Sequence, residues 1–170
     1  KWFGCKVGRS GSSTFAAAGK HIRNYTAGHE TRTSKLGNER LSFPGNHIET
    51  DAKLSWMLGL LDDQFGNDAY YVHLLRDKEK VVESWQKRWD FSFSGIRFFT
   101  EGVLGNVPEL LSPNEKLLIN EQHYGTINAN IRLFLKDKSN VITIQFEDME
   151  NGFRKFWEEI GAEVDLESAL

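Results

Sequence analysis

Short apolar runs alternate with longer stretches of helical periodicity along this chain, a pattern typical of an α/β protein with a mainly parallel sheet. The continuous apolar runs predict buried strands over residues 2–7, 69–75 and 141–146. Apolar residues spaced three and four apart predict the helices. These begin near residues 14 and 113 or extend over 51–61, 78–89 and 153–160.

Two segments with little periodicity interrupt this pattern. Residues 32–46 contain Gly, Ser, Asn and Pro44, which predicts a mobile loop over the surface. Residues 91–108 are rich in aromatic residues and contain glycines, and we interpret them as irregular structure. Because no repeat or credible domain boundary separates the predicted elements, we expect one domain over residues 1–170.

Composition and charge exclude several classes of protein. The 170 residues include 21 Lys and Arg against 24 Asp and Glu, and the net charge of -3 argues against a general binder of nucleic acid or anionic membranes. A single cysteine, Cys5, rules out a disulfide framework within the chain. No apolar run approaches the ~20 residues of a membrane span, and the first residues lack the layout of a signal peptide, so we expect a cytoplasmic protein.

The first candidate site is the turn between the first predicted strand and helix, residues 8–14, which read Gly-Arg-Ser-Gly-Ser-Ser-Thr. Unpaired N–H groups at a helix start favour anions, glycine lets the backbone approach them, and Arg9 adds a charge. Further donors are the hydroxyls of Ser10, Ser12, Ser13 and Thr14. The turn therefore predicts a phosphate site, with an ordinary capped turn as the alternative. The usual nucleoside-triphosphate loop is a different motif, since it requires Gly-Lys followed by Ser or Thr.

The second candidate site pairs Arg76, at the end of the predicted strand 69–75, with Ser84 in the helix that follows. Open α/β sheets bind ligands beyond the carboxyl ends of their strands, where both Arg76 and the first turn are expected to lie. The pair is spaced to reach one anion above that edge. The alternative is a helix cap followed by a solvated helix face.

Taken together, the two segments resemble motifs of the sulfotransferase superfamily, whose members use 3′-phosphoadenosine 5′-phosphosulfate (PAPS) as sulfuryl donor. Within that superfamily, the chain resembles small bacterial sulfotransferases most. The family's 5′-phosphosulfate loop is commonly Pro-Lys/Arg-Ser-Gly-Thr/Ser-Thr/Ser, and residues 9–13 match it with Gly8 where Pro is frequent. The family's 3′-phosphate motif is a strand that ends in Arg, then Asp or Asn, with a Ser eight residues after the Arg. Residues 74–85 match that motif, including the spacing. Residues 144–149 also look like the family's strand and acidic pair before its final helix.

This resemblance implies a three-layer α/β/α fold of the P-loop-NTPase-like sulfotransferase type. It also implies PAPS as co-substrate without a metal, and a small-molecule or carbohydrate hydroxyl as acceptor. Arg9 is implied to stabilise charge in the transfer step as well as to bind the donor. The donor-binding residues implied by the two motifs are Arg9, Ser10, Gly11, Ser12, Ser13, Thr14, Arg76 and Ser84.

Sulfuryl transfer also needs a general base for the acceptor's hydroxyl proton. Glu30 is our preferred candidate, because bacterial carbohydrate sulfotransferases and heparan-type members place a catalytic Glu on or beyond the second strand. Its neighbour His29 is the second candidate, and if both lie in one strand only one side chain faces the site. His47 and Glu49 are further alternatives, since other members use a His before the 3′-phosphate strand.

Three matters stay open at this point. The chain has no Arg-Lys-Gly segment near its end of the type with which many cytosolic members complete the 3′-phosphate site. This supports the alternative of a non-catalytic nucleotide-binding protein. The other alternative is a nucleotide or small-molecule kinase with a degenerate phosphate loop, although the chain lacks the loop lysine and a convincing metal carboxylate at a strand end. We expect residues 32–46 and 91–99 to line the acceptor side, while the acceptor itself and the oligomeric state are not readable from the sequence.

Overall fold

The computed structural model describes the backbone of residues 2–6 and all of residues 11–164. Within them the chain forms one sheet of five parallel strands in the order β2-β3-β1-β4-β5. The strands are β1 (Trp2–Lys6), β2 (Thr26–His29), β3 (His47–Thr50), β4 (Tyr70–Leu75) and β5 (Val141–Gln145). The α/β class and the parallel sheet predicted from the apolar pattern are confirmed.

Parallel strands need long connections, and here helices supply all of them except the one from β2 to β3, which contains only a 3₁₀ turn. The helices are α1 (Ser12–Gly19), α2 (Leu58–Phe65), α3 (Lys78–Gln86), α4 (Gly95–Phe98), α5 (Pro113–Leu135) and α6 (Met149–Ile160). Short 3₁₀ turns lie at Gly37–Leu41, Ala52–Trp56, Pro108–Leu110 and Phe146–Asp148, and a π-helical turn at Phe99–Val103.

Alternate residues of β4 pack against different helices, because successive side chains of a strand point to opposite faces. Tyr70, Val72 and Leu74 belong to a buried cluster that includes residues of α1 and α6. Tyr71 belongs to a second buried cluster, which contains residues of α2, α3 and α5. The sheet is therefore covered by apolar side chains on both faces, as the nearly continuous apolar run of β4 predicted.

His73 is the polar exception in β4. Its ring is buried, and its Nε2 lies 3.1 Å from Oδ1 of Asn128 on α5. Burial lowers the pKa of His73, with Asn128 opposing that change. His73 is therefore a core histidine with a hydrogen-bond partner inside the fold.

Helix α5 begins at a capping box that fixes where the helix starts. The Glu115 carboxylate accepts a hydrogen bond from the amide of Ser112 (2.8 Å), and the Ser112 hydroxyl accepts one from the amide of Glu115 (3.4 Å). Pro113 occupies the first turn, where its missing N–H costs nothing. This helix carries buried residues of the second cluster and one wall of the candidate site.

The helical character predicted over residues 51–61 is present, but it is divided between two elements. The chain forms the 3₁₀ turn Ala52–Trp56 and then begins α2 at Leu58. The Asp51 carboxylate caps the turn by accepting a hydrogen bond from the amide of Lys53 (2.8 Å). The apolar residues of this stretch are thus divided between two short elements. In the first of them Leu54 is buried and Trp56 is partly exposed.

Most of the segment 32–46 is exposed, but residues 40, 41 and 43 are buried against the core, so the prediction of a loop over the surface is wrong for that part. Leu41 and Phe43 are buried in the second cluster. Arg40, also buried, pairs its Nη2 with Oδ2 of Asp51 at 2.5 Å and ties the segment to the end of β3. A buried ion pair of this kind is not visible in local sequence composition.

Residues 91–108, predicted as irregular, contain α4 and the π-helical turn. The Ser94 hydroxyl accepts a hydrogen bond from the amide of Arg97 (3.4 Å) at the start of α4. Ile96 and Phe99 are buried in the second cluster. Their burial stabilises two turns of helix too short to show a clear period in sequence.

Candidate functional site

A cavity of about 1380 Å³ lies at the carboxyl edge of the sheet. Residues that follow all five strands line it, which is where open α/β sheets bind their ligands. One such residue for each strand, in chain order, is Gly11, Glu30, Ala52, Arg76 and Phe146. The topology thus brings the two sequence motifs to one cavity.

The first wall of the cavity is the start of α1. Gly11 adopts a left-handed backbone (φ 88°) just before the helix, and a side chain there would place its Cβ only 2.4 Å from Cδ2 of Phe146. Ser13 and Thr14 are exposed to the cavity in the first helical turn. Amide groups of a first turn have no partner inside the helix, so this wall favours an anion. Arg9 and Ser10, predicted to complete the site, lie outside the described residues.

Ser12 is buried and joins this wall to β2. Its Oγ lies 2.8 Å from Nε2 of His29, the last residue of that strand. The amide-rich turn and the imidazole are therefore held together by one hydrogen bond, whose direction depends on the tautomer of the ring.

Glu30 and His29 both line the cavity, although neighbouring residues of one strand would face opposite ways. The physical reason is that β2 ends at His29 and the backbone of Glu30 turns to a positive φ of 55°. The Glu30 carboxylate accepts a hydrogen bond from Nζ of Lys53 at 2.7 Å. A carboxylate and an imidazole are thus adjacent at this point.

Arg76 supplies the second wall. Its guanidinium lies 4.7 Å from the ring centroid of Phe146, and its backbone carbonyl accepts a hydrogen bond from the Tyr124 hydroxyl (3.0 Å). The pKa of Glu83 on α3 is lowered mainly by Lys87, with a smaller contribution from Arg76. Arg76 therefore sits between the sheet edge and α3. Ser84 is half-buried on α3 and is not among the residues lining the cavity.

His47 and Glu49, the alternative bases, are buried in β3 and bonded to each other (3.1 Å). Glu49 also accepts hydrogen bonds from the amide and the hydroxyl of Thr31 (2.9 and 2.5 Å). Burial alone would raise the pKa of Glu49, but the hydrogen bonds from His47 and Thr31 outweigh it and lower the pKa. Neither residue lines the cavity, so both act within the fold.

Sequence reasoning missed a buried charge cluster around Asp51. The carboxylate accepts hydrogen bonds from Arg40 (2.5 Å), from the Thr33 hydroxyl (3.0 Å) and from the amide of Lys53 (2.8 Å). Arg40, Thr33 and Lys53 all line the cavity. The residues come from separate loops, and no local motif marks them.

His123 of α5 is the other residue that sequence reasoning missed. Its buried ring lines the cavity among aromatic residues. Burial lowers the pKa of His123 to about 4, so the ring is neutral at pH 7. A signal existed, because His123 falls on the same helix face as the buried Ile119 and Ile127, four residues to either side.

The cavity is more positive than the chain that contains it. Four cationic side chains and two acidic ones line it, although the whole protein has a net charge of -3. These are Arg40, Lys53, Arg76 and Arg88 against Glu30 and Asp90. Such a local excess suits an anionic ligand.

Comparisons with known proteins support the fold. No protein-family model and no curated protein match the sequence. Among solved structures, a sulfotransferase domain from the curacin biosynthetic pathway is similar, with a TM-score of 0.69, 13% identity, and coverage of 96% of this chain and 74% of that one. The resemblance to sulfotransferases drawn from the two motifs is thus confirmed at the level of the fold.

Metal ligands and membrane-spanning helices are the two other features considered for the described residues. No three His, Cys, Asp or Glu side chains in that part of the chain are grouped to hold a metal ion. None of its helices combines the length and the apolar character needed to cross a membrane.

Proposed function

We propose that this protein is a sulfotransferase that moves a sulfuryl group from PAPS to a hydroxyl of a small acceptor. One observation carries the proposal: the Gly11 turn and Arg76, taken from two separate motifs, line a single cavity at the carboxyl edge of a parallel sheet. The fold it shares with a sulfotransferase domain supports the same conclusion. We further infer a single domain over residues 1–170, with helices and sheet in a three-layer, P-loop-like arrangement.

In this proposal the start of α1 binds the 5′-phosphosulfate of the donor. Arg9, Ser10 and the residues from Gly11 to Thr14 supply amide, hydroxyl and guanidinium donors. Arg76 and Ser84 bind the 3′-phosphate, with Arg76 as the charged group that already lines the cavity. The site suits the donor because Gly11 leaves no side chain in the turn and because cations outnumber acids around the cavity.

The transfer step follows from these positions. The acceptor's hydroxyl oxygen attacks the sulfur, and the new oxygen–sulfur bond forms as the bond from sulfur to the 5′-phosphate oxygen breaks. Arg9 and the α1 amides stabilise the negative charge that develops on that leaving oxygen. Glu30 accepts the hydroxyl proton, with His29 beside it as the alternative base. The product nucleotide is 3′-phosphoadenosine 5′-phosphate (PAP).

The test is calorimetric titration with PAP and, separately, with ATP and Mg²⁺. We expect micromolar binding of PAP by the wild type. Arg76→Ala should weaken it about tenfold or more, since charge-assisted bonds to a phosphate are lost. Arg23→Ala, an exposed arginine outside the cavity, is the matched control and should bind PAP normally.

Other outcomes of the titration decide between the alternatives. Preference for ATP with Mg²⁺ would favour a kinase. PAP affinity that is unchanged in Arg76→Ala would show that the 3′-phosphate site is wrongly assigned. Binding of neither nucleotide would contradict the proposed function.

A further inference from the structure

The sheet ends in two edge strands, β2 and β5, and the outer edge of β5 is open to a further strand. Strand β4 pairs with one side of β5, and no strand of the described residues pairs with the other side. An edge strand presents a row of unpaired backbone N–H and C=O groups, which is a template for pairing with another chain. The outer edge of β5 is therefore a candidate interaction surface.

The register between β4 and β5 determines which backbone groups form this outer edge. The amide of Tyr71 on β4 donates a hydrogen bond to the carbonyl of Asn140, which directly precedes β5 (2.8 Å). In a parallel pair, the backbone groups of alternate residues point to the neighbouring strand. The even-numbered residues of β5 therefore bond to β4. The N–H and C=O groups of Val141, Thr143 and Gln145 face away from the sheet.

Strand β5 has none of the sequence features that usually keep edge strands apart. Residues 139–146 read Ser-Asn-Val-Ile-Thr-Ile-Gln-Phe, without a charge, a proline or a glycine. Natural edge strands commonly carry a lysine, a proline or a bulge that prevents pairing with another chain. Thr143 and Gln145 are also exposed, so the strand is open to solvent at its middle and at its end.

The other edge strand, β2, is built differently. It has 4 residues, and Gly28 in its interior weakens it as a strand. Only Ala27 and His29 direct their backbone groups away from β3. Directly after the strand, the backbone turns to a positive φ of 55° at Glu30. Strand β2 thus offers a shorter and less regular edge than β5.

The charges that flank β5 indicate the direction of a partner strand. Lys136 and Lys138 precede the strand, and Glu147 and Asp148 follow it. A second copy of β5 in the antiparallel direction places the basic start of each strand beside the acidic end of the other. A parallel copy would place like charges together, which is unfavourable. The outer edge of β5 is therefore complementary to a second copy of itself.

We propose that two copies of this protein form a dimer through the outer edges of β5, which pair antiparallel about a two-fold axis at Thr143. In this register Thr143 lies opposite Thr143 of the second copy, and Val141 lies opposite Gln145. Each outward N–H then meets a carbonyl of the other copy, because the residues of a hydrogen-bonded antiparallel pair exchange both bonds. The same surface serves both copies, so the contact is complete in a dimer.

The dimer does not depend on the proposed function. The cavity lies at the carboxyl edge of the sheet, whereas the outer edge of β5 runs along its side. Antiparallel strands point their carboxyl ends in opposite directions, so the two cavities open on opposite sides of the joined sheet. Formation of the dimer and binding of PAP are therefore measured separately and can fail separately.

The first experiment is sedimentation velocity of the wild type from about 1 to 300 µM, with and without PAP. Pairing of one short strand buries little surface, which is typical of weak and reversible contacts. We expect monomers at the lowest concentration and mainly dimers at the highest, with a dissociation constant of about 10 µM. PAP should leave this constant unchanged.

Two variants of Thr143 test the surface. Thr143→Pro removes the outward N–H at the centre of the pair without removing a hydrogen bond to β4, and should raise the dissociation constant about tenfold or more. Thr143→Val keeps the N–H and nearly the same shape, so it is the matched control and should form dimers as the wild type does. Circular dichroism verifies that both variants are folded.

A pair of cysteine variants tests the register and does not depend on the proline variant. Both are made with Cys5→Ser, so that each chain has one thiol. Thr143→Cys should give a covalent dimer in oxidising buffer, because the two Cα atoms lie about 5.5 Å apart on the axis. Gln145→Cys is the control and should stay reduced, since its two copies lie about 14 Å apart in this register.

The outcomes distinguish the surface, the register and the closure. Monomers at every concentration would overturn the proposal, and so would a dimer that persists with unchanged affinity in folded Thr143→Pro. A covalent dimer that forms as readily through Gln145→Cys as through Thr143→Cys would overturn the antiparallel register. Species that grow beyond a dimer would contradict the closed two-fold contact.

Discussion

Several buried polar side chains around the cavity lower the stability of the folded protein. The Asp51 carboxylate is fully buried, and its partner Arg40 leaves Nη1 without a hydrogen bond among the described residues. The desolvation cost of such a pair often offsets its Coulomb energy. His123 adds a second unsatisfied atom in the same cavity. Arg40 and His123 both line the cavity, and each has a polar atom without a partner. Ligand binding explains the presence of such residues better than folding does.

The pH dependence of stability tests the environment of His123. Its pKa is about 4 in the folded protein and 6.5 as an ordinary value, so between these pH values the unfolded chain binds a proton that the folded ring rejects. The free energy of unfolding therefore falls as the pH drops through this window, by up to about 3 kcal/mol from this group. His123→Phe removes that contribution. Urea unfolding at pH 7 and pH 4.5 should show the variant gaining on the wild type at the lower pH.

Two further results are expected from that comparison. At pH 7 the variant should be at least as stable as the wild type, because a buried nitrogen without a partner is removed. Stability curves that stay parallel from pH 7 to pH 4.5 would contradict the buried, neutral state of the ring.

At this scale the sequence predicted cavity residues that lie in short local patterns and missed those that meet only through the fold. The predicted residues Ser12, Ser13, His29, Glu30 and Arg76 line the cavity, and their roles toward a ligand stay predictions. Arg40 and Asp51 meet through the fold, and His123 reaches the cavity from a helix late in the chain. Contacts between distant segments leave no periodic or motif signal in a single sequence.

Among the elements, the turn into α1 has the strictest requirement for a particular residue. Gly11→Ala combines a left-handed backbone (φ 88°) with a Cβ 2.4 Å from Phe146, whose ring packs under Arg76. Gly105→Ala has a left-handed backbone (φ 66°) but open space around the new Cβ, so it is the matched control. We expect Gly105→Ala to cost about 1 kcal/mol of stability and Gly11→Ala about 2 to 4. Urea unfolding measures both.

The same pair of variants tests whether the turn binds the donor. Gly11→Ala should also weaken PAP binding, because the displaced Phe146 no longer supports Arg76. Gly105→Ala should bind PAP as the wild type does. Equal losses of stability in the two variants would contradict the close contact between Gly11 and Phe146.

The sequence predicted a helix or strand correctly where the apolar residues of that element repeat with one clear period. Strand β4 and helices α3, α5 and α6 were found with ends that differ by only a few residues from those observed. It missed the division of residues 51–61, where one apolar pattern covers a 3₁₀ turn and the start of α2, which are separated at Met57. It also failed at α4 and the π-helical turn, whose burial comes from tertiary packing rather than from local propensity.

For the whole molecule, charge is unevenly placed: a negative protein surrounds a cavity with more cations than acids. Salt screens the attraction between this excess of positive charge and an anion. Raising the salt concentration from 50 to 300 mM should therefore weaken PAP binding by about threefold to tenfold. Calorimetric titration at the two salt concentrations measures the change. A PAP affinity that does not change with salt would contradict an electrostatic donor site.

The position of β1 in the sheet has a consequence for how the chain is made. Trp2 pairs with Ile48 on one side and with Tyr70 on the other, so β1 has no neighbour in the sheet until β3 and β4 have been synthesised. Pairing across such long intervals is slow, because loop entropy must be lost before any contact forms. During that delay β1 is an unpaired strand of the nascent chain, a form prone to aggregation. Yield in cells should therefore depend on chaperones and on the rate of translation between β1 and the end of β4.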